Sequence, residues 1–139
     1  MILRKPKNLE QLQELTDYIL KCVGDRKKVK VSICKNGSFR AQANTPHYVY
    51  TGRRKFKVKK EFLERCKIKE LIYVIIHEIA HFKQSKTRKC RKAYLKKGFV
   101  PTKLVFKHYH TKTFYRLINK LENRFWNQYA QDLLNIDRI

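Results

Sequence analysis

A chain of 139 residues can bury one modest core and leaves no room for a second domain, so residues 1–139 are read as a single unit. With 42% hydrophobic residues, eight Tyr, eight Phe and one Trp, the composition excludes a disordered chain. The net charge of +23 is extreme for this length and predicts attraction to polyanions, nucleic acid first among them.

Cys22, Cys34, Cys66 and Cys90 are widely spaced, with no CxxC pair, which excludes a zinc ribbon and a thioredoxin-like redox motif. The opening residues, MILRKPKNLEQLQEL, lack the apolar stretch of a signal peptide, and the longest apolar run stops at a histidine. These features predict a reduced intracellular setting, cytoplasm or nucleus, and no membrane partner.

In chain order, Leu9, Leu12, Leu15, Ile19 and Val23 recur at helical spacing, with Asn8 as N-cap and Gly24 as the stop. A basic turn, Asp25 to Lys28, follows. Val29, Val31 and Ile33 alternate, as do Phe39, Ala41 and Ala43, and Asn36-Gly37 between them predicts an antiparallel hairpin over residues 29–43. Tyr48 to Val58 predicts a third strand or a second hairpin, and Glu61 to Arg65 a helical turn. The order of helix, small antiparallel sheet and helix defines an α+β fold in which the sheet packs on a buried helix.

That buried helix starts near Ile68 and carries LIYVIIHEIAHF, Leu71 to Phe82. On it His77 and His81 are four residues apart and project from one face, so both imidazoles can hold one zinc ion. Glu78 sits beside them as the base that takes a proton from water. Two histidines and a glutamate in a buried helix are costly unless something satisfies them, and a metal does.

From Ile79 to Leu121 there is no Asp or Glu. Lys83, Lys86, Arg88, Lys89, Arg91, Lys92, Lys96 and Lys97 crowd the first part of this stretch, with Tyr94, Phe99 and Phe106 among the basic residues. This pattern predicts phosphate contacts; the aromatics either stack on exposed bases or pin a loop to the core. Further basic clusters lie at Arg26–Lys30 and Arg53–Lys60. His108-Tyr109-His110 follows, then Thr111 as the N-cap of a final helix whose apolar face is Phe114, Leu117, Ile118, Leu121 and Phe125. A catalytic zinc needs a third protein ligand; His110 is preferred, His108 is the reserve, and Glu122 lies too far into the helix.

IIHEIAH, followed by HTKTFYRLI, resembles the SprT-like metallopeptidases, with closely similar blocks in the WLM-domain proteases and the YgjP-like metal hydrolases. The likeness runs from near Phe39 through the last helix. It implies a minimal zincin-like domain in which His77, His81 and His110 bind zinc and Glu78 is catalytic. The insert between His81 and His110 is longer and more basic than in WLM domains, and the cysteine-rich ribbon of many SprT-like proteins is absent.

The leading expectation is a monomeric zinc metallopeptidase acting, as the resemblance implies, on proteins bound or crosslinked to DNA. The charge predicts nonspecific DNA binding through its basic surface, and an edge strand at Ser38 to Ala43 is the candidate seat for the substrate. Two alternatives stand beside it. One is a YgjP-like hydrolase of a small phosphorylated or nucleotide substrate; the other is a non-enzymatic basic DNA-binding protein.

Overall fold

The computed structural model describes residues 2–37, 39–43, 53–84, 95–97 and 112–137. Helix α1 (Leu9–Cys22) begins where the Asn8 side chain accepts a hydrogen bond from the Gln11 N–H at 2.9 Å. It ends at Val23, and Gly24 follows with φ +73°, a left-handed turn that other residues adopt only under strain. Leu12, Leu15 and Ile19 form its buried stripe.

Three strands follow: β1 (Val29–Cys34), β2 (Ala41–Ala43) and β3 (Arg54–Lys59). The sheet order is β1-β3-β2, with β1 parallel and β2 antiparallel to the central β3. This overturns the hairpin expected over residues 29–43, because β1 and β2 are not neighbours. The physical reason lies at Gly37. Its φ of +132° is far from the values of a two-residue hairpin turn, and a Cβ there would meet the Phe39 ring at 2.3 Å. The glycine makes room for Phe39 rather than folding a hairpin. Central β3 is the strand that buries most consistently: Arg54, Phe56 and Val58 all point inward. The part of the expected third strand before residue 53 lies outside the described residues, as do His47 and the candidate N-cap Thr111.

The two outer edges of the sheet are treated differently. On β1, the Gln13 side-chain amide donates to the Val29 carbonyl at 2.8 Å and accepts from the Val31 N–H at 3.0 Å. A side chain of α1 thus imitates a neighbouring strand and closes that edge. Among the described residues no strand pairs with the other side of edge strand β2. The Lys59 N–H donates to the Arg40 carbonyl, so residues 40 and 42 face β3 while Ala41 and Ala43 direct their amides away from it.

Helix α2 (Lys60–Arg65) leads directly from β3 into α3 (Ile68–Gln84). Packed against β2, α1 and the last helix, α4 (Lys112–Asp137), α3 is buried at Leu71, Ile72, Val74, Ile75, Ile76, Ile79, Ala80 and Phe82. Between Leu71 and Phe82 only Tyr73 and His77 are not buried, and with Lys69 they form one open stripe. Residues 95–97 form a short helical turn. Helix α4 buries Phe114, Ile118, Leu121 and Phe125, the face expected from its periodicity, and the Tyr18 hydroxyl ties α1 to it by donating to Asp132 at 2.6 Å. The protein is therefore α+β, with a mixed three-stranded sheet among the described residues. No described helix is long and apolar enough to cross a membrane.

Behind the site, Arg54 and Asp25 form an ion pair of 2.6 Å with side chains only 4% and 6% exposed. Lys83 reaches the same Asp25 oxygen at 3.5 Å, and the Arg54 guanidinium lies over the Phe82 ring. The pair thus pins the end of α3 to the start of β3 and to the turn after α1. Burial opposes ionisation of Asp25, but hydrogen bonds from Arg54 and the Lys27 N–H, with the charges of Arg54 and Lys83, hold its carboxyl below the usual value of 3.8. Asp25→Ala leaves a guanidinium buried without its carboxylate and should destabilise the fold by about 3 kcal/mol or more in urea unfolding at pH 7. A depressed carboxyl stabilises above its unfolded pKa, and that contribution is lost as pH falls through the folded one. Parent and variant should therefore converge only as pH falls through the lowered pKa of the folded carboxyl, below its ordinary 3.8.

Candidate metal centre

His77 and His81 leave α3 one turn apart, and their Nε2 atoms lie 3.0 Å from each other. Two imidazole nitrogens at that distance share either a proton or a cation. Nitrogens bound at about 2.0–2.1 Å to one tetrahedral ion would stand about 3.3 Å apart, so the pair needs only a few tenths of an ångström to hold a metal. Ligand atoms of His77, Glu78 and His81 all lie within 4.8 Å of one another, and this group could hold a metal ion. Glu78 and His81 are each 6% exposed, whereas His77 is half-buried at the end of the open stripe. Access to the group therefore runs along the His77 side.

Phe114, near the start of α4, fixes both imidazoles. Its ring stacks on His81 with centroids 4.5 Å apart, and meets His77 edge-on at 5.1 Å. Helix α4 runs antiparallel to α3 here, since Glu122 and Trp126, two and three turns further on, meet Lys69 and Tyr73 instead. Glu122 is thereby placed beside Lys69 and Tyr73 and is not a member of the His77, Glu78, His81 group. His110, four residues before Phe114, and His108 lie outside the described residues.

The contact that sequence reading missed is made by Ala43. Its N–H donates to the Glu78 carboxylate at 2.7 Å. An alanine has no side chain with chemistry to notice, and only the sheet register reveals that its amide points outward. Burial pushes the Glu78 carboxyl up to about 7, and the Ala43 N–H offsets this only in part.

Of the cations expected to touch phosphate, Lys83 is described and reaches Asp25, while Lys96 and Lys97 are exposed on the turn at 95–97. Lys86, Arg88, Lys89, Arg91 and Lys92 lie outside the described residues, as do the aromatics Tyr94, Phe99 and Phe106. Arg54, within the basic cluster at 53–60, is buried against Asp25 and presents no charge to solvent.

Fold and site together define an α+β protein with a His-Glu-His group on a buried helix. No protein-family profile, curated protein or solved structure matches the chain.

The raised Glu78 carboxyl has a measurable consequence in metal-free protein. The unfolded chain ionises this group above its ordinary 4.5, the folded chain only above about 7, so folding is penalised progressively across that interval and fully above it. Glu78→Gln removes the penalty. In the presence of a chelator the variant should be more stable than the parent by about 2–3 kcal/mol at pH 8, with the gain fading towards pH 4. A flat difference across this range would show that Glu78 titrates normally.

Proposed function

We propose that the chain is a zinc-dependent metallopeptidase with a zincin-like domain, acting on proteins bound or crosslinked to DNA. The observation that carries the reading is the hydrogen bond from Ala43 to Glu78, which sets the candidate base beside the histidine pair and at the edge of β2 that no strand covers among the described residues. An extended peptide adding to that edge would run past the histidines, with its backbone paired to Ala41. This arrangement suits a polypeptide better than a small phosphorylated molecule, whose binding needs no strand edge. The buried carboxylate likewise has no use in a protein that only binds nucleic acid.

His77 and His81 would hold the zinc with His110 as third ligand, or His108 in its place. A bound zinc would supply Lewis acidity, polarising a peptide carbonyl and acidifying water to a pKa of about 7. Glu78, poised near neutrality by burial, accepts the proton from the attacking water and returns it to the leaving amine. The Ala43 N–H holds the carboxylate in position for both transfers, and Phe114 holds the imidazoles. The charge of +23 supports nonspecific recruitment to DNA, which would bring the peptidase to its protein substrates.

About one zinc should copurify per chain, and His77→Ala or His81→Ala should lose it, as metal analysis of untagged protein would read. Glu78→Gln should keep the zinc and lose casein or histone cleavage measured with DNA present. An active Glu78→Gln would remove Glu78 as the base, and full occupancy in the double histidine variant would remove the metal assignment.

Ala43 gives a second, independent test. Its amide does not serve the sheet, so proline there removes only the hydrogen bond to Glu78 and is tolerated on an edge strand. Ala43→Pro should retain zinc and fold while activity falls about 10–100-fold, the worth of one hydrogen bond to a charged group. Unchanged kcat in a zinc-loaded variant would show that the contact does not position the base.

A further inference from the structure

Away from the metal centre, the turn after α1 forms one wall of an open cleft of about 1000 Å³. Among the described residues, Lys21, Arg26, Lys27, Lys28, Lys30 and Arg124 line it, six cations against the two carboxylates of Asp17 and Asp25. Asp25 is already paired with Arg54, so the cleft is more positive than its composition suggests. Arg124 comes from α4, and its guanidinium stands where a Cβ on Gly24 would be, 2.4 Å from the nearest nitrogen. Arg124 thus packs directly over Gly24 and brings a cation from a distant helix to the wall.

Among the described residues the lining contains no aromatic side chain, and Leu20 and Val29 are its only large apolar members. It offers charge but no surface on which a base could stack. Such a cleft fits a ligand that presents several phosphates at regular spacing and is held by them alone.

The cleft also lies across the sheet from the candidate active edge. Lys28, Val29 and Lys30 belong to the β1 side, whereas Ala43 lies on β2, with β3 between them. Occupation of one side leaves the other open.

We infer that this cleft, at the turn after α1 and completed by Arg124, is a binding site for the phosphodiester backbone of nucleic acid, indifferent to base sequence and independent of the metal. The inference deepens the nucleic-acid part of the proposed function and rests on it. It does not depend on the hydrolytic part.

The test compares two variants with equal loss of charge. Arg26→Ala/Lys28→Ala/Arg124→Ala removes three of the six cleft cations, while Lys7→Ala/Lys35→Ala/Lys67→Ala removes three exposed cations outside it. Fluorescence anisotropy with a duplex of about 20 base pairs and scrambled sequence is read between about 50 and 300 mM salt. The cleft variant should lose at least about tenfold in affinity near 150 mM salt, and its log–log salt slope should shrink by about 2–3, at about 0.9 for each phosphate no longer neutralised. The control variant should lose no more than about threefold. Arg26→Ala/Lys28→Ala, which leaves Arg124 against Gly24, should fall between parent and triple variant and guards against a folding defect in the latter.

Equal losses in cleft and control variants would overturn the site, because net charge alone would then explain binding. Tighter, cleft-dependent binding to phosphatidylserine vesicles than to duplex would overturn the nucleic-acid assignment. Glu78→Gln and chelator-treated protein should bind duplex as the parent does; a cleft-dependent affinity that vanishes with the metal would overturn its independence. Loss of peptidase activity with duplex binding intact would count against the hydrolytic reading alone.

Discussion

One hydrogen bond, from an outward-facing backbone amide to a buried carboxylate, gives the site its geometry. Glu78 cannot leave the core without unpacking α3, and Ala43 cannot shift without moving the edge of the sheet. Helix and sheet are thereby registered to each other at the point where chemistry would occur. The imidazoles are fixed from the opposite side by a single phenylalanine ring, so three elements distant in sequence converge on a few ångströms.

This arrangement is not optimal for stability. A carboxylate buried against a backbone amide, with no cation beside it among the described residues, weakens the fold at neutral pH. Two imidazole nitrogens at 3.0 Å ask for a shared proton or a cation. The surrounding aliphatic wall of α3 supplies the compensation, since Leu71, Ile72, Ile75, Ile76 and Ile79 are almost wholly excluded from water. A buried carboxyl raised in this way marks a functional-site candidate.

The helices and the histidine pair were legible in the sequence because their signals are local. Apolar periodicity, an Asn cap, a terminal glycine and a spacing of four residues each act within one or two turns. The sheet was not legible for the same reason inverted. Val29 pairs with Arg54, far along the chain, and the strong turn signal of Asn36-Gly37 serves the packing of Phe39 instead. Within the site, Glu78 announced itself and Ala43 did not, because what Ala43 contributes is a direction of its backbone. Asp25 was visible only as an isolated acid in a basic turn. Its pairing with Arg54 depended on where β3 entered the sheet.

Gln13 gives the sheet a polarity that strand order alone does not. By spending both ends of its amide on Val29 and Val31, it occupies outward backbone groups at the start of β1, while among the described residues no strand pairs with the outer edge of β2. A second copy of the chain adding to the start of β1 would first have to displace Gln13. Among the described residues, a strand added at β2 would lie on the side where the Ala43 N–H meets Glu78. A single glutamine on the far side of the sheet thus biases which edge can take a further strand.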